Sequence, residues 1–141
     1  MEFTRYELYD LLNRPGPLWL IVADLSNAVL WSTNLEQANL AEANLTEADL
    51  SGAILREAIL EGADLSKADL VGAILEGAIL EGANLSGADL GQASLIKANL
   101  CDANLEGASL VGVNPSRADL SGADLMGADL MGAKMPDGTI H

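Results

Sequence analysis

At 141 residues and a net charge of −14, the chain has the length of one domain and a strongly acidic surface. That balance excludes direct binding to nucleic-acid backbones or anionic membranes, because both need a basic face. Its single cysteine, Cys101, excludes an internal disulfide, and its apolar half is nearly all Ala, Leu, Ile and Val, without the aromatics that usually fill a globular core.

The N-terminal stretch MEFTRYELYD is charged and polar where a secretory leader would be apolar. The apolar run at 18–23 is too short to span a bilayer, so a cytoplasmic chain without membrane contact is expected. Thr4-x-x-Glu7 has the form of a capping box, in which two side chains satisfy free N–H groups at a helix start. It predicts an amphipathic helix over 4–13 with Leu8, Tyr9, Leu11 and Leu12 on its apolar side, stopped by RPGP at 14–17. Residues 1–22 therefore read as an N-terminal cap and linker, with partner docking as the rival role of the helix.

Every fifth residue from Leu20 to Leu110 is leucine, followed by Pro115, Leu120, Leu125, Leu130 and Met135. Alanine stands two residues earlier in each word from Ala23 to Ala133, except at Thr33 and Val113, giving 23 five-residue words without an insertion or deletion. Five residues advance an α-helix by about 500°, so the leucines would spiral around it. In a strand of period two they would alternate between faces. The pattern works only if the chain turns once per word, with Ala and Leu facing inward. Glycine is the second residue after Leu in 11 words, Gly52 and Gly72 among them, as a turn with positive φ asks. The Asn, Ser, Gln, Glu, Lys, Asp and Arg corners predict a second turn type beside it.

The word A-[DN]-L-x-x resembles that of the pentapeptide-repeat family, most of all its small cyanobacterial members. The resemblance implies an all-β fold, a right-handed quadrilateral β-helix with four words per coil. Here that makes just under six coils, with the short α-helix as N-terminal cap. At the strand spacing of about 4.8 Å the rod is roughly 28 Å long. The resemblance also implies two kinds of role: some members mimic duplex DNA and bind DNA gyrase, and others are tied to control of cell differentiation.

The repeats are taken as 23–135 and the C-terminal tail as 136–141. The turn-rich ending KMPDGTIH has no second helix to cover the last coil. Met126 and Met131 point outward nearby, so two arrangements are open: a homodimer end to end through the C-terminal coil, or a tail folded back as a cap.

Four words per coil assign each residue to a face. The first face (Leu40, Leu60, Leu80, Leu100, Leu120) carries Glu42, Glu61, Glu81, Asp102 and Asp119 and no base. The second (Leu25 to Leu125) carries Asp24, Glu47, Asp64, Glu106 and Asp124 against Lys67. The third (Leu30 to Leu130) carries only Asp49, Asp69, Asp89 and Asp129. The fourth (Leu35, Leu55, Leu75, Leu95, Pro115, Met135) sets Glu36, Glu57 and Glu76 against Arg56, Lys97, Arg117 and Lys134. Ile54 and Ile74 replace the usual Asp or Asn on the fourth face, and Ile59 and Ile79 do so on the first. With Arg56 they form a candidate partner-binding patch, against the simpler reading that β-branched residues favour extended backbone.

The stacked Asp49, Asp69 and Asp89 raise a cation site, but Asp and Asn in this slot more simply bond nearby backbone, so no metal or cofactor is expected. His141 is the lone histidine and Cys101 has no histidine partner, so no catalytic residue is named and no enzyme is expected. The expected function is a non-catalytic protein-interaction module, possible regulation included, with an unknown protein partner. The alternative is an acidic DNA mimic that binds DNA gyrase or another DNA-binding protein. The repeats hold 17 acids and 5 bases, about one net charge per 2.3 Å of rod against ~1.7 Å in duplex DNA. The short rod, the near-neutral fourth face and the absence of a loop between coils weigh against mimicry.

Overall fold

The computed structural model describes residues 5–137. Helix α1 spans Arg5–Leu12, so Thr4 of the capping box and the end of the tail lie outside the described residues. At its C-terminus the Asn13 side-chain amide donates to the Tyr9 carbonyl at 2.6 Å, and Arg14 pairs with Asp10 at 2.8 Å. Gly16, at φ +99°, then turns the chain toward Leu18. Eight residues make a helix that is marginal alone. Leu8, Leu11 and Leu12, spaced i, i+3, i+4, pack on the core and hold it. Tyr9, at the border of that stripe, stands 72% exposed.

From Trp19 onward, every β-bridge joins a residue to the one twenty positions later, always in parallel, from Trp19–Asn39 to Ser109–Asp129. Twenty residues are four words, so the chain turns four corners before it stacks on itself. A five-residue word leaves room for a single rung between corners, which is why no longer strand forms among the described residues.

One word shows how the backbone is satisfied. The N–H of Asn44 donates to the Ala23 carbonyl at 2.9 Å, in the preceding coil. The N–H groups of Leu45 and Glu47 donate to the carbonyls of Asp64 (2.7 Å) and Ser66 (3.0 Å), in the following coil. The Ala48 N–H closes the turn on the Leu45 carbonyl at 3.0 Å. The fifth N–H, that of Thr46, goes to Asn44 Oδ1 at 3.1 Å. This word therefore places all five of its donors, as a stacked backbone requires.

The expected second turn type is absent. All corners from Val22 to Gly132 have positive φ, whether glycine or not, from 53° at Ser32 to 73° at Gly122. With the Leu-to-Ala hydrogen bond, this is the sign pattern of a type II turn throughout. The reason is the stack: the corner N–H must reach the next coil, as Glu42 reaches the Glu61 carbonyl at 2.9 Å. That requirement overrides the preference of the individual residue.

Inside, the leucines from Leu35 to Leu105 and the alanines between them are fully buried, and no polar or charged side chain is buried with them among the described residues. The packing loosens at the C-terminal end, where Leu120, Ala123, Leu125, Ala128 and Leu130 are only partly buried. Pro115, in a leucine slot of the fourth face, has no N–H for the Lys134 carbonyl. No bridge joins Asn114 to Lys134, and the Lys134 N–H reaches the Val113 carbonyl only at 3.4 Å. Among the described residues, no helix is long and apolar enough to cross a membrane.

Candidate interaction surface

The slot before each leucine has a defined task. Its Asp or Asn Oδ1 accepts the N–H two residues on, as from Asp49 to Ser51 (3.1 Å), Asp69 to Val71 (2.9 Å) and Asp89 to Gly91 (2.9 Å). The three stacked aspartates are thus used within their own turns, and no group of residues suited to a metal ion occurs among the described residues. On the second face, amides link successive coils as well: Asn44 Nδ2 donates to Asp24 at 3.2 Å, and Asn84 Nδ2 to Asp64 at 3.2 Å.

Charges in this slot respond to those bonds. The Ser26 hydroxyl and N–H hold the Asp24 carboxyl below the usual carboxylate range. Partial burial pushes Asp64 up, but hydrogen bonds from Ser66, Thr46 and Asn84 outweigh it and leave its carboxyl lowered. Asp119 is lowered by the Ser121 hydroxyl and N–H and by the Cys101 thiol. Desolvation, the bond to Asp119 and the charges of Asp119, Glu81 and Asp102 push the Cys101 thiol up. Cys101 is therefore a poor nucleophile.

The isoleucines interrupt this scheme. Ile54 bridges Ile74 on the fourth face, and Ile59 bridges Ile79 on the first. The two pairs lie either side of a corner that carries the Arg56–Glu76 ion pair, Nε to Oε2 at 3.2 Å. Ile54, Ile59 and Ile74 are half-buried and Ile79 is 38% exposed. Isoleucine cannot accept the turn hydrogen bond, and the N–H groups of Arg56, Glu61, Glu76 and Glu81 have no protein acceptor. Trp19 and Val29 occupy the same slot and are also exposed. The signal that singled out the isoleucines, an apolar residue where Asp or Asn belongs, would have found both.

A cleft of about 460 Å³ between α1 and the first coil was not foreseen; Leu8, Tyr9 and Leu12 line it from the helix, and Asp24, Ala28 and Val29 from the coil. No sequence signal marks it, because it depends on how the helix sits. Met126 and Met131 are exposed as expected, on the second and third faces.

A family model described as pentapeptide repeats matches in eight copies, over overlapping segments that run from residue 23 to residue 135. The chain is a pentapeptide-repeat protein. No curated protein matches it. Among solved structures it is similar to a pentapeptide-repeat protein of the Arabidopsis thaliana thylakoid lumen, with 31% identity over 70% of this chain and a TM-score of 0.54; it spans 66% of that protein's length. HetL, a pentapeptide-repeat protein involved in heterocyst differentiation regulation in the cyanobacterium Nostoc, is 34% identical over 90% of this chain and 78% of its own, with a TM-score of 0.30. QnrB1, a plasmid-mediated fluoroquinolone resistance protein, shares the fold: 16% identity, 83% of this chain, 72% of its own, TM-score 0.59. The family implies a right-handed quadrilateral β-helix, and the twenty-residue step of the bridges supplies its four sides.

Proposed function

We propose that this pentapeptide-repeat protein is a non-catalytic interaction module that binds a protein partner along the edge between its fourth and first faces. Ile54, Ile59, Ile74 and Ile79 supply the apolar contact and Arg56 a charge beside it. One observation carries the reading: these four words forgo the turn hydrogen bond that Asp or Asn makes elsewhere. Such a bond contributes about 0.5–1.5 kcal/mol when formed, so isoleucine here is not the choice that backbone stability favours. In this reading α1 caps the first of just under six coils, and the raised Cys101 thiol fits a surface without a nucleophile.

Replacing Ile59 and Ile79 by Asn separates binding from folding, because Asn restores the turn bond. The Ile59→Asn, Ile79→Asn variant should melt no lower than the wild type. It should also lose the protein that the wild type captures from a lysate of its source organism, compared by quantitative mass spectrometry. Equal capture by both forms would overturn the reading.

Two rival contacts stand beside this reading. The loosened last coil, with Met126 and Met131 63% and 64% exposed, makes an end-to-end homodimer the first of them; an unchanged mass for Met126→Asp, Met131→Asp removes it. The carboxylates of the first three faces support DNA mimicry as the second reading. A supercoiling assay with purified DNA gyrase decides that point, since neither protection nor inhibition at micromolar protein removes it.

A further inference from the structure

The fourth face is the one face whose charge is split along the rod. Glu36, Glu57 and Glu76 stand with Arg56 in its N-terminal half, and Lys97, Arg117 and Lys134 with Asp137 in its C-terminal half, a net −2 against +2. Arg56 is paired with Glu76 and Glu57 accepts the Gln37 amide at 3.0 Å. Lys97, Arg117 and Lys134 are exposed and make no ion pair among the described residues. Lys97 and Arg117 occupy the same corner of successive coils, so two like charges sit about one coil step, ~4.8 Å, apart along the rod. The other three faces carry 14 of the 17 repeat acids, and the only base among them, Lys67, is paired with Glu47 at 3.6 Å.

We propose that the fourth face binds the fourth face of a second copy, antiparallel, about a twofold axis between the Glu76 and Lys97 coils. Two faces related this way present the same patch to each other. An axis lying across the rods keeps each corner column opposite itself and reverses the order of coils. Glu57 of one copy then faces Arg117 of the other, and Lys97 faces Gly77 with Glu76 beside it. Glu36 falls level with Lys134. Gly77 has no side chain, which leaves room for the lysine. A parallel pair, about an axis along the rods, would hold acid level with acid and base level with base. Pairing through any other face would oppose carboxylates on a chain of net charge −14.

The face measures roughly 28 Å by 10 Å, or ~300 Å² per copy. A stable specific interface takes about 800 Å² per partner, so this dimer is weak and sensitive to salt. The proposal rests on the fourth face being a contact surface and names a second copy as its partner. It covers Ile54, Ile74 and Arg56, so a second copy and the partner proposed above compete for this edge, while Ile59 and Ile79 stay exposed on the first face.

Sedimentation equilibrium of the full chain tests it at low and high salt. At about 50 mM salt the wild type should gain mass with concentration, and at about 500 mM it should return to monomer as screening shortens the reach of charge. Lys97→Glu with Arg117→Glu should be monomeric, as should Glu57→Lys with Glu76→Lys. An equimolar mixture of the two should associate as strongly as the wild type. Each variant keeps a non-glycine residue at its corners, and circular dichroism checks that it folds. A wild type that stays monomeric at low salt, or a mixture that does, overturns the proposal. So does a dimer that survives both reversals and disappears with Met126→Asp, Met131→Asp, which assigns the contact to the rod end. Capture of a different protein through Ile59 and Ile79 is read separately, so a failed self-pairing does not decide the fate of that patch.

Discussion

Left-handed backbone at non-glycine corners is strained, since an L-residue there brings Cβ against its own carbonyl at a cost of about 1–2 kcal/mol. Glu42, Lys67 and Lys97 tolerate it because their N–H groups are committed to the next coil, and because the leucine two residues before each is fixed in the core. Glycine corners escape the strain. Gly72 at φ +66° has open space where a Cβ would be, so Gly72→Ala should cost about 1 kcal/mol through backbone alone. At Gly122 a Cβ would meet the Asp102 carboxylate, an exposed side-chain end that can swing away, so Gly122→Ala should cost about the same with Asp102 present or removed. Urea midpoints for the two alanine variants and for Gly122→Ala in an Asp102→Ala background check both statements.

On the faces, each word acts with the words above and below it. The second-face ladder through Asp24, Asn44, Asp64 and Asn84 alternates acceptor and donor, so its amides and carboxylates bond across coils. The third-face aspartates have no such donor and serve only their own turns. This difference gives the ladder a pH signature. Asp64 has a folded pKa below its unfolded value, so its contribution is present above the usual carboxyl value of about 3.9. It is lost as pH falls through the lower, folded value. Asp64→Asn cannot titrate, and its stability should therefore fall less steeply than that of the wild type between about pH 4 and pH 2. Thermal melts of both proteins across that range measure the difference.

For the whole molecule, stability is a sum over coils and the contacts between neighbours. A middle coil is covered on both sides; among the described residues the last is not. Leu65, fully buried, should cost about 3–5 kcal/mol when changed to Ala, because the leucines stacked above and below cannot collapse into the gap. Leu125, partly buried near the open end, should cost about half as much, since water already reaches it. Guanidinium denaturation of Leu65→Ala and Leu125→Ala compares them. Pro115 belongs at this scale too. By removing the donor for the Lys134 carbonyl, it loosens the last rung of the fourth face against the coil before it.

The five-residue word determined by itself that the chain must turn at every corner, that Ala and Leu face inward, and which residues share a face. These follow from periodicity, because a side chain's direction is set by its place in the word. The sequence also exposed the odd isoleucines, since a slot reserved for Asp or Asn makes any apolar occupant visible. It misjudged the corners, where residue preference suggested two turns and the stack enforces one. Only the tertiary structure decided what depends on contacts between coils: the single turn conformation, the unbonded N–H groups of the isoleucine words, the unpaired bases of the fourth face, and the cleft beneath α1. Each is settled by what lies twenty residues away or across a packed helix, at a distance that local preference does not encode.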